Sequence, residues 1–213
     1  MNLPNILVIN PNSNESVTVG LRESLLDFSA RARIECRTLH AGPFGIETDE
    51  DIAFVAPLVV EMIDRSPEYD AYVIACYSDP GLAECRRRFD KPVFGMQQSA
   101  IDTAIGEGGR FGVIALSDAS IARHLAYIRE LGHVAHLAGE LPLGISVDQA
   151  ANDPATLDKV IAEGRRLIDE YGAQVLILGC AGMAAYRLTA ETALAVPVIE
   201  PAQAAVRLAI TAT

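Results

Sequence analysis

Short apolar runs rich in β-branched residues recur along the chain. Each is followed by a polar break, then by a stretch whose apolar positions return every three or four residues. Ile6 to Ile9, Ile34 to Leu39, Ala71 to Ala75 and Val93 to Phe94 read as strands, with helices near 15 to 29, 49 to 64 and 81 to 88. The rhythm then starts again. Phe111 to Leu116, His133 to His136, Val175 to Leu178 and Val198 to Ile199 read as strands, with helices near 118 to 131 and 154 to 171. "AAVRLAITAT" reads as a short last helix. Strands alternating with helices predict right-handed βαβ units and parallel sheets covered on both faces, so the fold class is α/β.

The two halves can be laid over one another. "NILVINPNS" pairs with "RFGVIALSD", and "AYVIACYSDPG" with "QVLILGCAGMA", which sets Cys76 against Cys180, 104 residues later. "KPVFGMQQSA" pairs with "VPVIEPAQAA" at an offset of 105. Coarse βαβ rhythm alone does not account for matched cysteines, each directly after an apolar strand and before a loop of small residues. The repeat predicts two similar lobes related by a pseudo-twofold axis, 1–97 and 98–200, with 201–213 returning to pack on the first. In open parallel sheets ligands bind beyond the carboxyl ends of the strands. Facing lobes would therefore point both cysteine-bearing tips into one cleft.

Composition narrows the partners. Lys plus Arg number 17 against 28 Asp plus Glu, a formal charge of −11, the opposite of a nucleic-acid footprint. Half of the 213 residues are hydrophobic and 21% are charged, enough for a sizeable core. No run approaches the roughly 20 apolar residues that cross a bilayer, and no signal-peptide pattern opens the sequence. A cytoplasmic protein acting on a small molecule is expected, with its four cysteines as free thiols.

Two opposed thiols suit one reaction above others: removing a proton from one face of a carbon and returning one to the other. A thiol has an ordinary pKa of about 8.5, so it can lose or hold a proton near neutrality with little driving force either way. Each cysteine precedes a helical start, at Pro80-Gly81 and near Met183-Ala184, whose amides can stabilise a thiolate or an enolate oxygen. Ala181 and Gly182 allow close approach of the backbone. Cys76 and Cys180 are thus the candidate catalytic pair, and the chemistry calls for no cofactor and no metal.

Five segments carry a resemblance: "INPNSNESVT" (9–18), "AGPFGIET" (41–48), "ACYSDPGL" (75–82), "LGCAGM" (178–183) and "VPVIEP" (196–201). Together, and in order, they resemble the aspartate/glutamate/hydantoin racemase superfamily, nearest its hydantoin racemase branch. The resemblance implies a cofactor-independent racemase with Cys76 and Cys180 as its two bases. It also implies substrate held by Asn10 and the backbone after each cysteine, and a homo-oligomer. Glutamate racemases carry Asp-Ser-Gly, Cys-Asn-Thr and Cys-Thr-His where this chain has Asn10-Pro11-Asn12, Cys76-Tyr77-Ser78 and Cys180-Ala181-Gly182. Arylmalonate decarboxylases keep only the second cysteine. One departure stands out: Gly95-Met96-Gln97-Gln98-Ser99 replaces the usual Gly-Ile-x-Glu-Ala of hydantoin racemases.

A 5-substituted hydantoin or related cyclic ureide is a ring of amides, recognised by neutral donors and acceptors. Asn10, Tyr77, Ser78, Ser117, Ala181 and Gly182 are the candidate contacts, with Asn12 and Ser13 nearby. Allantoin, an acidic amino acid or a maleate-type substrate are alternatives within the superfamily; a non-catalytic small-molecule binder is the alternative outside it. Asp79 and Asp118 read as helix caps, and Cys36 and Cys85 as packing residues. His133 and His136 lack further ligands for zinc. "GEGGRFG" (106–112) precedes a strand instead of following one, the wrong context for a dinucleotide loop.

Overall fold

The computed structural model describes residues 3–213, which form two four-stranded parallel sheets. The first contains β1 (Asn5–Asn10), β2 (Arg33–Thr38), β3 (Ala71–Ile74) and β4 (Val93–Gly95), in the order β2-β1-β3-β4. The second contains β5 (Phe111–Ala115), β6 (Leu137–Pro142), β7 (Val175–Leu178) and β8 (Val198–Ile199), in the order β6-β5-β7-β8. The order repeats, as the sequence repeat predicts. Central strands are apolar on both faces because helices cover both: every residue of β3, β5 and β7 is buried. Edge strand β2 is instead largely polar, and only Cys36 in it is fully buried.

The helices are α1 (Glu15–Ser24), α2 (Asp49–Asp64), α3 (Leu82–Arg88), α4 (Met96–Gly106), α5 (Asp118–Glu130), α6 (Val147–Asn152), α7 (Thr156–Asp169), α8 (Arg187–Leu194) and α9 (Pro201–Ala212). Two differences from the sequence reading have local causes. The helix expected over 15 to 29 ends at Ser24; a 3-10 turn, Leu26–Phe28, then tucks Phe28 into the core. The strand expected at His133 to His136 begins instead at Leu137. Gly132, at φ 77°, breaks the chain after α5, and Val134–His136 is a 3-10 turn. Gly139, Glu140 and Pro142 mask this strand's apolar signal, and Pro142 is tolerated because β6 lies at the sheet edge.

α4 and α9 are exchanged. α4 follows the first sheet, yet its Ala100, Ile101 and Ala104 pack with Phe111, Val113 and Ile177 of the second. α9 follows the second sheet, yet it packs on β1, β3 and β4 of the first. The two helices also pack on each other. Small residues on both helices, Ala100 and Ala104 on α4 and Ala202, Ala205 and Ala209 on α9, are all buried.

Candidate active site

Strands are parallel within each sheet, and residues that follow the carboxyl ends of β1, β3, β5 and β7 (Asn12, Cys76, Leu116 and Cys180) come together between the lobes. Between them lies a cavity of about 40 Å³, lined from the first lobe by Ala75, Cys76, Tyr77 and Ser78 and from the second by Gly179, Cys180, Ala181 and Gly182. Cys76 is partly exposed, and Cys180 is buried at 7%. The thiols have matching surroundings. The Gly182 amide donates to Cys180 Sγ at 3.3 Å, and the Ser78 amide donates to the Cys76 thiol, each from two residues on. Removal from water dominates nonetheless. Burial pushes Cys76 up to about 12 and Cys180 up to about 11, with the neighbouring Cys180 adding to the first and Glu47 to the second. Burial thus favours the protonated form of both thiols.

The loop after Cys76 is held by an unusual cap. Asp79 sits at φ 45°, a left-handed conformation that Asp adopts more readily than most residues. Its buried carboxylate accepts from the amides of Gln97 (2.9 Å) and Gln98 (3.0 Å), the first turn of α4. The expectation that Asp79 caps a helix holds, although the helix is α4 and not the one that follows it. Next to it, Gly81 (φ 77°) passes so near α2 that a Cβ there would lie 2.8 Å from the Ala56 carbonyl oxygen. In the second lobe Glu200 caps α9 directly, accepting from Ala202 (3.0 Å) and Gln203 (2.7 Å).

Not every expected contact reaches the cavity. Asn10 is fully buried, and its amide is used within the loop. Nδ2 donates to Asn12 Oδ1 (3.0 Å), the Asn14 carbonyl (3.1 Å) and Thr18 Oγ1 (3.0 Å), while Oδ1 accepts from the Asn12 amide (3.2 Å). Asn12 lines the cavity in its place. Ser117 caps α5 reciprocally with Ser120, and it is Ser120 that faces inward. Gln98, at the departure from the hydantoin racemase pattern, lies outside the lining and accepts from Arg86 at 2.7 Å. Cys36 and Cys85 are buried among apolar side chains, as expected of packing residues. Among the described residues no group of three or more His, Cys, Asp or Glu side chains could hold a metal.

Sequence reasoning missed three contributors. α5 turns Ser120, Arg123 and His124 toward the cavity. Their i, i+3, i+4 spacing on the helix after a central strand was a legible signal. Behind them Glu140 of β6 pairs with His124, Oε2 to Nδ1 at 3.1 Å. The third is a strap, residues 42 to 48, crossing from the first lobe to the second. Arg123 donates to the Glu47 carbonyl at 3.1 Å, and Glu47 Oε1 accepts from the Val147 amide at 3.0 Å. The Thr48–Asp51 capping box of α2 fixes the far end of the strap, and Ile46 and Val147 close the cavity roof. At about 40 Å³ the cavity is small for a ring-sized ligand, and the strap forms part of its lining.

The Asp/Glu/hydantoin racemase family matches residues 6–209. The chain belongs to that family. It is 32% identical to a hydantoin racemase of Paenarthrobacter aurescens, over 96% of this chain and 89% of that protein. It is 33% identical to a hydantoin racemase of Pseudomonas sp. (strain NS671), over 97% and 84%. An allantoin racemase structure from Klebsiella pneumoniae superposes with a TM-score of 0.92 at 27% identity, covering 98% of this chain and 86% of that one. The racemase described here is thus an isomerase, hydantoin- or allantoin-racemase-like, with the two-lobed α/β fold of its relatives. No helix among its described residues is long and apolar enough to cross a membrane.

Proposed function

We propose that this racemase inverts the carbon between ring carbonyl and substituent of a 5-substituted hydantoin or related cyclic ureide, with Cys76 and Cys180 as its two acid–base groups. The active form has lost one thiol proton to water, and the resulting thiolate takes the proton from carbon. The electron pair moves onto the adjacent carbonyl as an enolate, and the other thiol delivers its proton to the opposite face. Proton count and charge are conserved through the inversion, which leaves the thiolate on the opposite sulfur; proton exchange with water then restores the starting form. One observation carries the reading: two thiols from equivalent strand tips of the two sheets line a single cavity. Amides next to each sulfur, and the helical turn of Ala181–Tyr186 after Cys180, are suited to charge developing on the enolate oxygen. We extend the proposal to a cytoplasmic homo-oligomer, built of a 1–97 lobe completed by 201–213 and a 98–200 lobe.

The test is α-proton exchange in D₂O with both hands of a panel of hydantoins and allantoin. Wild type is expected to exchange both hands. Cys76→Ser and Cys180→Ser are each expected to suppress exchange of a different one. Undiminished racemisation by both variants would refute the two-base scheme.

A further inference from the structure

One wall of the cavity is apolar, formed by Val17, Ile46, Leu116 and Val147; the α5 wall is polar. There His124 and Glu140 are nearly inaccessible, at 3% and 2% side-chain exposure, and are bound to each other through Nδ1. That bond fixes the ring and leaves its other nitrogen for a further partner. The Tyr77 ring stands edge-on to His124, with centroids 4.8 Å apart. Among the described residues, the buried Tyr77 hydroxyl and Glu140 Oε1 have no hydrogen-bond partner. A buried polar group without a partner is costly to leave unpaired. His124 lines the cavity, while Oε1 of its partner Glu140 and the orphan Tyr77 hydroxyl beside it have no accessible surface of their own; a polar ligand group admitted to this corner would complete them.

We propose that His124, positioned by Glu140, together with the Tyr77 hydroxyl binds a hydrogen-bonding substituent on the substrate ring. The enzyme would then select rings bearing a ureido or amide group over rings bearing alkyl or aryl groups. The inference rests on the racemase reading above. It adds that specificity is set on α5 and β6, away from the two sulfurs. A ligand group that satisfies an otherwise unmet hydroxyl and imidazole discriminates strongly, because an apolar substituent leaves both unpaired.

The experiment compares kcat/KM for exchange on two hydantoins, one carrying a ureido and one an isobutyl substituent, in wild type, Tyr77→Phe, His124→Leu and His124→Gln. Wild type is expected to prefer the ureido ring. Tyr77→Phe and His124→Leu are expected to lower the ureido-to-isobutyl ratio roughly tenfold each, mainly through KM, and His124→Gln by less because its amide still donates. Tyr77→Phe conserves volume and removes a group with no protein partner, so it serves if the leucine variant does not fold. Losses in equal proportion on both rings, or a wild-type preference for isobutyl, would overturn the inference and leave the racemase reading standing. Exchange of neither ring by wild type would overturn both.

Discussion

Asp79 and Gly95 share one place. A Cβ on Gly95 would lie 2.3 Å from the Asp79 carboxyl carbon, because that carboxylate fills the space at the start of α4 where a side chain would otherwise stand. In the repeat Gly95 corresponds to Glu200, which caps α9 with its own side chain. The lobes thus solve one problem differently. In the second the capping acid belongs to the helix; in the first it comes from the cysteine loop and fixes that loop as well.

Gly95→Ala is therefore expected to displace the carboxylate and destabilise the protein by about 1–3 kcal/mol, read from urea unfolding. Asp79→Gly combined with Gly95→Glu recreates the Glu200 arrangement. The double variant should unfold at higher urea than the two single losses predict when added. Strict additivity would mean that the two residues do not share a site.

Burial raises Asp79 and Glu200 to about 7, well above their ordinary carboxylate values. The folded state binds these protons more tightly than the unfolded chain does. Their contribution to stability is thus fully present below about pH 4 and lost as pH rises through about 7. Asp79→Asn and Glu200→Gln should each flatten the dependence of unfolding free energy on pH between 4 and 8. A profile that keeps its wild-type slope in both variants would contradict this.

Burial shifts the thiols in the same direction. With Cys180 pushed up to about 11 by burial, its free thiolate fraction at pH 7 is on the order of one in ten thousand. Alkylation of Cys76 and Cys180 by iodoacetamide, followed by mass spectrometry, should be slow at pH 7 and rise about tenfold per pH unit up to about pH 10. Fast labelling at neutral pH would show that the resting cavity holds a thiolate.

The strap makes its own prediction. Glu47→Ala removes the acceptor for the Val147 amide and leaves the Arg123 contacts with the Glu47 carbonyl and with Asp49 (3.4 Å) in place. Hydrogen exchange should then quicken in residues 42 to 48 and at Val147. KM should rise several-fold while unfolding free energy changes by about 1 kcal/mol or less. Exchange in the strap as slow as in wild type would show that this contact does not hold it down.

The sheets and the cysteine pair were legible because both depend on short range. Four apolar residues and a small-residue break define β3 and Cys76, and the same pattern recurs at β7 and Cys180. What the sequence concealed depends on distant partners. Asn10 follows an apolar strand at its carboxyl end, where a ligand contact is expected, and only the fold reveals Asn12, Asn14 and Thr18 using up its amide. Glu140 reads as a charge that spoils a strand until His124 is seen across from it. The destination of Glu47 across the cleft has no local signature, since Val147 lies 100 residues away.

The exchange of α4 and α9 has a consequence for synthesis. The first sheet leaves the ribosome well before the helix that covers part of one of its faces, which follows the whole second sheet. Until residues 201–212 emerge, only α1 and the Leu26–Phe28 turn cover that face, and a nascent chain stalled before them leaves part of its apolar surface open to chaperones.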